Sequence, residues 1–151
     1  MHVGNILLVL AAAAMLVASL VAVFQDNIKR MLAYSSVAQI GYIVLGISLA
    51  TTAGVGAGML HLLNHALIKA ALFLAVGCIF LRLGSVDIRD IRGIAKRMPI
   101  TMAAFVAGGL SLIGVPLTSG FISKWYLVDA ALMDGRWPLA LLILLSSLLA
   151  V

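Results

Sequence analysis

The 151 residues are 64% apolar and only 10% charged, with a mean hydropathy of +1.23, whereas a soluble domain is about half apolar and about a quarter charged. That balance excludes a soluble enzyme, a disordered segment and a disulfide scaffold, because the surplus apolar surface has to face lipid. The net charge of +5 comes from ten Lys and Arg against five Asp and no Glu; in a chain of this composition the excess bears on membrane orientation, not on nucleic acid.

A helix needs roughly 20 apolar residues to cross a hydrocarbon core about 30 Å thick. The first run, Ile6 to Phe24, carries no charge. It lacks a basic leader and a small-residue cleavage site followed by a polar chain, so it reads as a span and not as a signal peptide. Gln25 to Arg30 is a polar break with Lys29 and Arg30. The second run goes from Tyr34 to about Ala50, and Ser36 followed by Gln39 predicts a capping box at its start. Residues 51–56 form an uncharged turn. Gly54 and Gly58 spell GxxxG there, but at a turn the motif carries little weight. The third run, Ala57 to Leu81, contains His61, His65 and Lys69. Arg82 to Met98 is a polar interfacial loop, and Pro99 suits the first turn of the helix that follows. The fourth run, Ile100 to about Met133, is too long for one simple span and is broken near Gly114-Val115-Pro116. A fifth begins after Pro138 and reaches Val151, too short to cross, so a fragment of a longer subunit is expected. The expected fold is an all-α polytopic transmembrane bundle, a single domain over 1–151 with about five spans, one of them broken.

Lys29, Arg30, Arg82, Arg89, Arg92, Lys96 and Arg97 all fall in the loops after spans one and three, whereas the opposite face has only Arg136. The positive-inside rule places both basic loops in the cytoplasm and the N-terminus outside. Cys78, the single cysteine, cannot form an internal bridge and reads as a small packing residue. No Cys or His spacing suits a metal, and no glycine-rich nucleotide loop is present, so neither a metal nor another cofactor is expected.

Lys69 is the most informative residue. A lysine at mid-membrane costs about 2.5–3.5 kcal/mol on insertion scales. His61, His65 and Lys69 recur at i, i+4 and i+8 and share one helix face, with successive turns about 5.4 Å apart, a gap that suits one water. Asn64 flanks the stripe. Imidazoles change protonation near neutral pH, so this row, with water, can take up and release protons. A lone intramembrane His is more often interhelical glue, but glue has no need of a central lysine. Lys124 follows a break made by Gly114, Pro116 and Gly120. Broken helices at membrane depth are confined to protein or to the walls of a water cavity, and their ends often serve ion sites. On residues alone Lys124 is either such a group, beyond the break towards the outside, or a snorkelling lysine beside the belt residues Trp125 and Tyr126.

Three blocks carry a family resemblance. They are Asn27 to Tyr42 (NIKRMLAYSSVAQIGY), His61 to Leu74 (HLLNHALIKAALFL) and Gly114 to Leu127 (GVPLTSGFISKWYL). Together the chain resembles the proton-conducting antiporter-like subunits: the large membrane-arm subunits of respiratory complex I, the Mrp-type multisubunit sodium/proton antiporters and the membrane-bound hydrogenases. The Ser123-Lys124-Trp125-Tyr126-Leu127 ending looks most like the D-type Mrp subunit. The resemblance implies that Lys69 is the central proton-relay lysine and that His61 and His65 hydrate the route to it. It further implies that Lys124 is the terminal ionisable group of an outward half-channel, and that Lys29 lies near the cytoplasmic side of the relay. It implies two inverted five-helix repeats, of which this chain is similar to the second. The first would supply a Glu–Lys pair that this chain lacks, so no independent transport is expected. Asn27 stands where complex I relatives often have Asp, and Leu117 where a second Pro is common.

The function expected is proton or sodium/proton translocation within a multisubunit antiporter of a bacterial or archaeal plasma membrane. The implied partners are the other membrane subunits, the lipid bilayer and the transported H+ and Na+, with no nucleic acid. One alternative is the same role in an NADH–quinone oxidoreductase or a hydrogenase, whose redox chemistry would lie on other subunits. The other is a structural membrane scaffold, which has to account for Lys69.

Overall fold

The computed structural model describes residues 2–149. Six α-helices run α1 (His2–Val23), α2 (Ile28–Ser48), α3 (Thr52–Leu83), α4 (Pro99–Ile113), α5 (Ser119–Met133) and α6 (Trp137–Leu149), with one 3₁₀ turn, Ile94–Lys96. The first three are long and apolar enough to cross a membrane. At 1.5 Å per residue, α3 is about 48 Å long. The helices α4 and α5 both pack along α3, and α6 returns against α5 and α1. The all-α bundle with one broken span is therefore what these residues form, and the chain is an integral membrane protein. Leucines and valines at its outer surface, such as Val9, Leu67, Leu74 and Leu81, present the apolar faces that lipid or apolar neighbours require.

The helix ends explain two departures from the sequence reading. The second helix starts six residues before Tyr34, because Asn27 caps it, its side chain accepting from Lys29 N and Arg30 N. The expected Ser36–Gln39 capping box does not form. Ser36 Oγ donates to the Leu32 carbonyl one turn back, and Gln39 is buried. The third helix likewise starts early, at Thr52, capped by the Thr51 hydroxyl, which accepts from Gly54 N. Gly54 and Gly58 are thus helical, and the GxxxG pair is a packing device. A Cβ at Gly46 would come within 2.8 Å of the Gly54 carbonyl and 3.1 Å of Gly58 Cα, so α2 and α3 meet backbone to backbone there. Cys78, by contrast, is exposed and does not pack in the core.

The two basic loops are tied together. Ile28 N donates to Val86 O at 3.1 Å and Ile88 N to Asp26 O at 2.9 Å, while Asn27 Nδ2 donates to Asp87 Oδ1 at 2.9 Å. This pairing puts both loops at one end of the bundle, as the charge asymmetry requires. It also gives Asn27 a reason: an aspartate in its place would set a second carboxylate against Asp87. A Ser85→Cys probe in a Cys78→Ala background of the full-length parent is expected to react with a membrane-impermeant reagent from the cytoplasmic side only. Reaction solely from outside would invert the topology.

Between α4 and α5 the chain turns through Gly114 at φ 93° and Leu117 at φ 77°. Leu117 is fully exposed and sits in the left-handed region that costs a non-glycine residue roughly 1–2 kcal/mol. Proline, locked near φ −65°, does not fit this conformation, so the leucine accompanies a differently shaped turn from one carrying a second proline. Leu117→Gly is expected to stabilise the full-length parent by about 1 kcal/mol and Leu117→Pro to destabilise it, read as thermal midpoints in detergent. A lower midpoint for Leu117→Gly would contradict the strain.

Candidate proton path

The apolar bundle encloses a set of buried polar side chains between α2, α3, α5 and α6. Their depth is fixed by the cores around them: Met15, Tyr42, Leu45, Leu127 and Ile143 above, and Ile28, Leu32, Leu72, Val76 and Leu112 below.

Lys69, 6% exposed, points from α3 to α2. Its Nζ donates to the Leu32 carbonyl at 2.7 Å and to Ser35 Oγ. The same carbonyl accepts from the Ser35 and Ser36 hydroxyls at 3.0 Å. Among the described residues the one salt bridge is Arg136–Asp134 at the opposite end, so Lys69 has hydroxyl and carbonyl partners and no carboxylate. His65, one turn along α3, is half-buried, and its Nδ1 is buried without a partner among the described residues. Asn64 faces the break and donates to the Ser119 carbonyl at 2.9 Å.

His61, another turn along, is 3% exposed and held from both sides. Its Nε2 lies 2.8 Å from Gln39 Oε1 on α2, and its Nδ1 lies 2.9 Å from Ser123 Oγ on α5. The Tyr42 ring packs 5.5 Å from the imidazole, centre to centre.

Lys124 is 6% exposed and curls back to the break. Its Nζ donates to the Leu112 and Ile113 carbonyls at 3.0 and 2.8 Å and to Ser147 Oγ on α6 at 3.1 Å. These are the three acceptors an ammonium can use, and the carbonyls belong to the end of α4, the negative end of its dipole. The Nζ also lies 4.9 Å above the Tyr42 ring. The snorkelling alternative is excluded by this burial: Trp125 and Tyr126 face outwards, but Lys124 points inwards. Lys124 itself lies on α5, beyond the break, and its ammonium reaches back to cap the end of α4. Pro116 lies in the connection between α4 and α5. Gly114 leaves room for the lysine stem, since a Cβ there would meet Lys124 Cδ at 3.1 Å. Gly120 lets the two half-helices overlap, because any Cβ on it would fall on the Ser111 carbonyl oxygen.

The structure thus brings Lys69, His65, His61, Asn64 and Lys124 to one seam, and Gly114, Pro116 and Gly120 to the break beside it. Lys29 stands apart. It is exposed, with its Nζ 4.2 Å over the Phe80 ring, one turn before the Leu32 carbonyl that holds Lys69. The sequence reading missed Ser35, Gln39, Tyr42, Ser123 and Ser147. The first three had a signal, since they recur at i, i+4 and i+7 on an apolar helix and so share one face. Ser147 had none. Two spaces adjoin the seam. One, of about 310 Å³, is lined by Ser19, Ser35 and Gln39 with Leu112 and Ile113. The other, of about 90 Å³, touches Gly114, Lys124 and Ser147. Both have room for water at about 30 Å³ per molecule.

Comparison with known proteins gives the family and the fold. The family described as NADH:quinone oxidoreductase/Mrp antiporter, transmembrane, matches residues 1–150. Subunit N of the NADH-quinone oxidoreductase of Desulforudis audaxviator is 49% identical over 140 residues, which are 93% of this chain and 28% of that protein. Among solved structures, the archaeal membrane-bound sulfane sulfur reductase superposes with a TM-score of 0.92 at 41% identity, over 99% of this chain and 31% of the matched one. The Mrp complex of Dietzia sp. DQ12-45-1b superposes with a TM-score of 0.94 at 39% identity, over 97% and 28%. The chain spans about three-tenths of the length of these relatives. It belongs to the NADH:quinone oxidoreductase/Mrp antiporter transmembrane family.

Proposed function

We propose that this chain is the proton-conducting part of a larger subunit in a multisubunit membrane complex of a bacterial or archaeal plasma membrane, and that it forms the second of two inverted repeats. Protons pass between Lys69 and Lys124 through His65, His61 and water. The observation that carries this reading is a pair of lysines buried in an apolar bundle without carboxylate partners among the described residues, joined by two histidines. An unpaired buried ammonium is costly, and a scaffold gains nothing from two. Two like charges in a low-dielectric interior also repel, so loading one lysine favours emptying the other, which couples their proton occupancy. The partnerless His65 Nδ1 supports a wet route, since leaving such an atom dry costs about 1–3 kcal/mol.

Two driving partners fit. A sodium/proton antiporter couples the path to a cation gradient; a quinone-linked complex couples it to electron transfer on other subunits. The higher identity to the NADH-quinone oxidoreductase subunit N favours the second, and the superposition on the Mrp complex supports the first. The test is proton movement in vesicles holding the full-length parent complex, wild type against Lys69→Ala. Driving it with a sodium gradient or with an electron donor separates the two partners, and undiminished transport in Lys69→Ala returns the scaffold reading.

A further inference from the structure

Neither the conducting lysines nor the histidine row accounts for Gln39 and Ser123. Gln39 is 1% exposed and Ser123 is 0% exposed, each a polar side chain in an apolar interior. Such groups cost about 1–3 kcal/mol when unpaired, and here both are spent on the same imidazole. The hydrogens available restrict what that imidazole can do. Gln39 Oε1 is an acceptor only, so His61 Nε2, 2.8 Å away, carries a hydrogen. His61 Nδ1 then faces Ser123 Oγ at 2.9 Å. The serine hydroxyl has one hydrogen and two acceptors within reach, His61 Nδ1 and the Gly120 carbonyl at 3.1 Å.

Two arrangements satisfy both imidazole nitrogens, Gln39 Oε1 and the Ser123 hydroxyl. With His61 neutral, Nε2–H donates to Gln39, and the Ser123 hydrogen goes to the Nδ1 lone pair. With His61 charged, Nδ1–H donates to Ser123 Oγ, and the serine hydrogen turns to the Gly120 carbonyl. Gly120 is the second residue of α5, where that half-helix rests against Ser111 of α4.

We infer that Gln39 and Ser123 are positioning residues that hold His61 in its Nε2–H tautomer, so that the proton enters and leaves at Nδ1, on the side of the helix break, with the Ser123 hydroxyl turning between His61 and Gly120. The inference rests on the conduction reading above. It adds that His61 works through one nitrogen and that its charge state is passed to the break by one hydroxyl rotation. Once the serine hydrogen has turned to the Gly120 carbonyl, a proton carried by seam water from the loaded lysine binds the freed Nδ1 lone pair and is later given back to seam water that carries it on; the Nε2 hydrogen and the serine hydrogen stay on their own atoms, so the count balances.

Nitrogen-15 spectra of histidine-labelled full-length parent complex test this, with the His61 signal identified by its loss in His61→Gln. Neutral His61 is expected to carry its hydrogen on Nε2 in the wild type and in Gln39→Glu, which keeps an oxygen acceptor in place. In Gln39→Met the acceptor is gone and an Nδ1–H population is expected, with proton transport down by about a hundredfold, the low end of what a placed proton-transfer group supplies. Gln39→Asn, which withdraws the amide by one methylene, is expected to give the same loss if Gln39→Met does not assemble. Ser123→Ala is expected to keep Nε2–H yet lose transport to a similar degree. A wild-type Nδ1–H tautomer, an unchanged tautomer in both the Met and Asn variants, or full transport by Ser123→Ala at matched assembly would each overturn the inference. Those outcomes leave the conduction reading intact so long as Lys69→Ala is inactive; an active Lys69→Ala removes that reading while the tautomer result stands.

Discussion

Lys69→Ala in the full-length parent is expected to abolish coupled proton movement while leaving the subunit assembled. The Nζ that reaches the Leu32 carbonyl and Ser35 is, among the described residues, the only titratable group on the seam below His65, so its removal cuts the route. The structural cost is modest. The Leu32 carbonyl keeps its two serine donors, so no buried acceptor is orphaned, and what remains is a small cavity next to Leu72. Lys69→Arg sharpens the test. Arginine keeps the charge and more than enough donors, but it does not release its proton in the physiological range, so it too is expected to be inactive. Dye-reported acidification of vesicles at matched protein levels reads both variants. Transport by Lys69→Arg near the wild-type rate would mean that a fixed charge suffices and that no proton passes through this position.

The second large effect is expected at Lys124, where two roles have to be separated. Its ammonium caps the end of α4 through the Leu112 and Ile113 carbonyls and engages Ser147 of α6. Lys124→Leu removes the cap and the titratable group together and is expected to lose most transport and some stability. Lys124→Arg restores donors and charge at the negative end of α4 but does not release a proton in the physiological range. It is expected to assemble at wild-type level and to stay inactive. Lys124→Glu gives back an exchangeable group but sets it against carbonyl oxygens; only its protonated form donates there. Partial transport with an altered pH dependence is expected. If Lys124→Arg transports normally, Lys124 is a cap and the proton leaves elsewhere.

Much of this was legible in the residues. Lys69 stood out because a charge in a long apolar run has few explanations, and the His-x3-His-x3-Lys spacing fixed its companions to one face. The break was legible because Gly114, Pro116 and Gly120 interrupt a run too long for one span. Helix starts were misread for a physical reason: hydropathy locates the apolar middle of a helix, while the start belongs to the cap. Asn27 and Thr51 lie in polar stretches outside those middles, so α2 and α3 both began earlier than expected. The same error hid the Gly46–Gly54–Gly58 contact, which a turn would have made meaningless. Lys124 stayed ambiguous because sequence shows depth along a helix but not the direction of a flexible side chain. Trp125 and Tyr126 suggested the interface, and only the fold shows the lysine turned the other way, into the break. Gln39 was assigned to a helix cap and Ser123 to no role, because single polar residues in apolar helices are common and the meaning of these two lies across the bundle, on His61.

The length of α3 has a consequence for the depth of its central charge. A helix of about 48 Å exceeds a hydrocarbon core of about 30 Å, and such an excess is met by tilt or by protrusion at the ends. Tilt lowers or raises the two ends but pivots about the middle. Lys69 lies about 26 Å from the first residue of α3 and about 21 Å from the last, within about 2 Å of that pivot. Thinner or thicker membranes would therefore shift Arg82 and Thr51 relative to the headgroups and leave the lysine at the same depth.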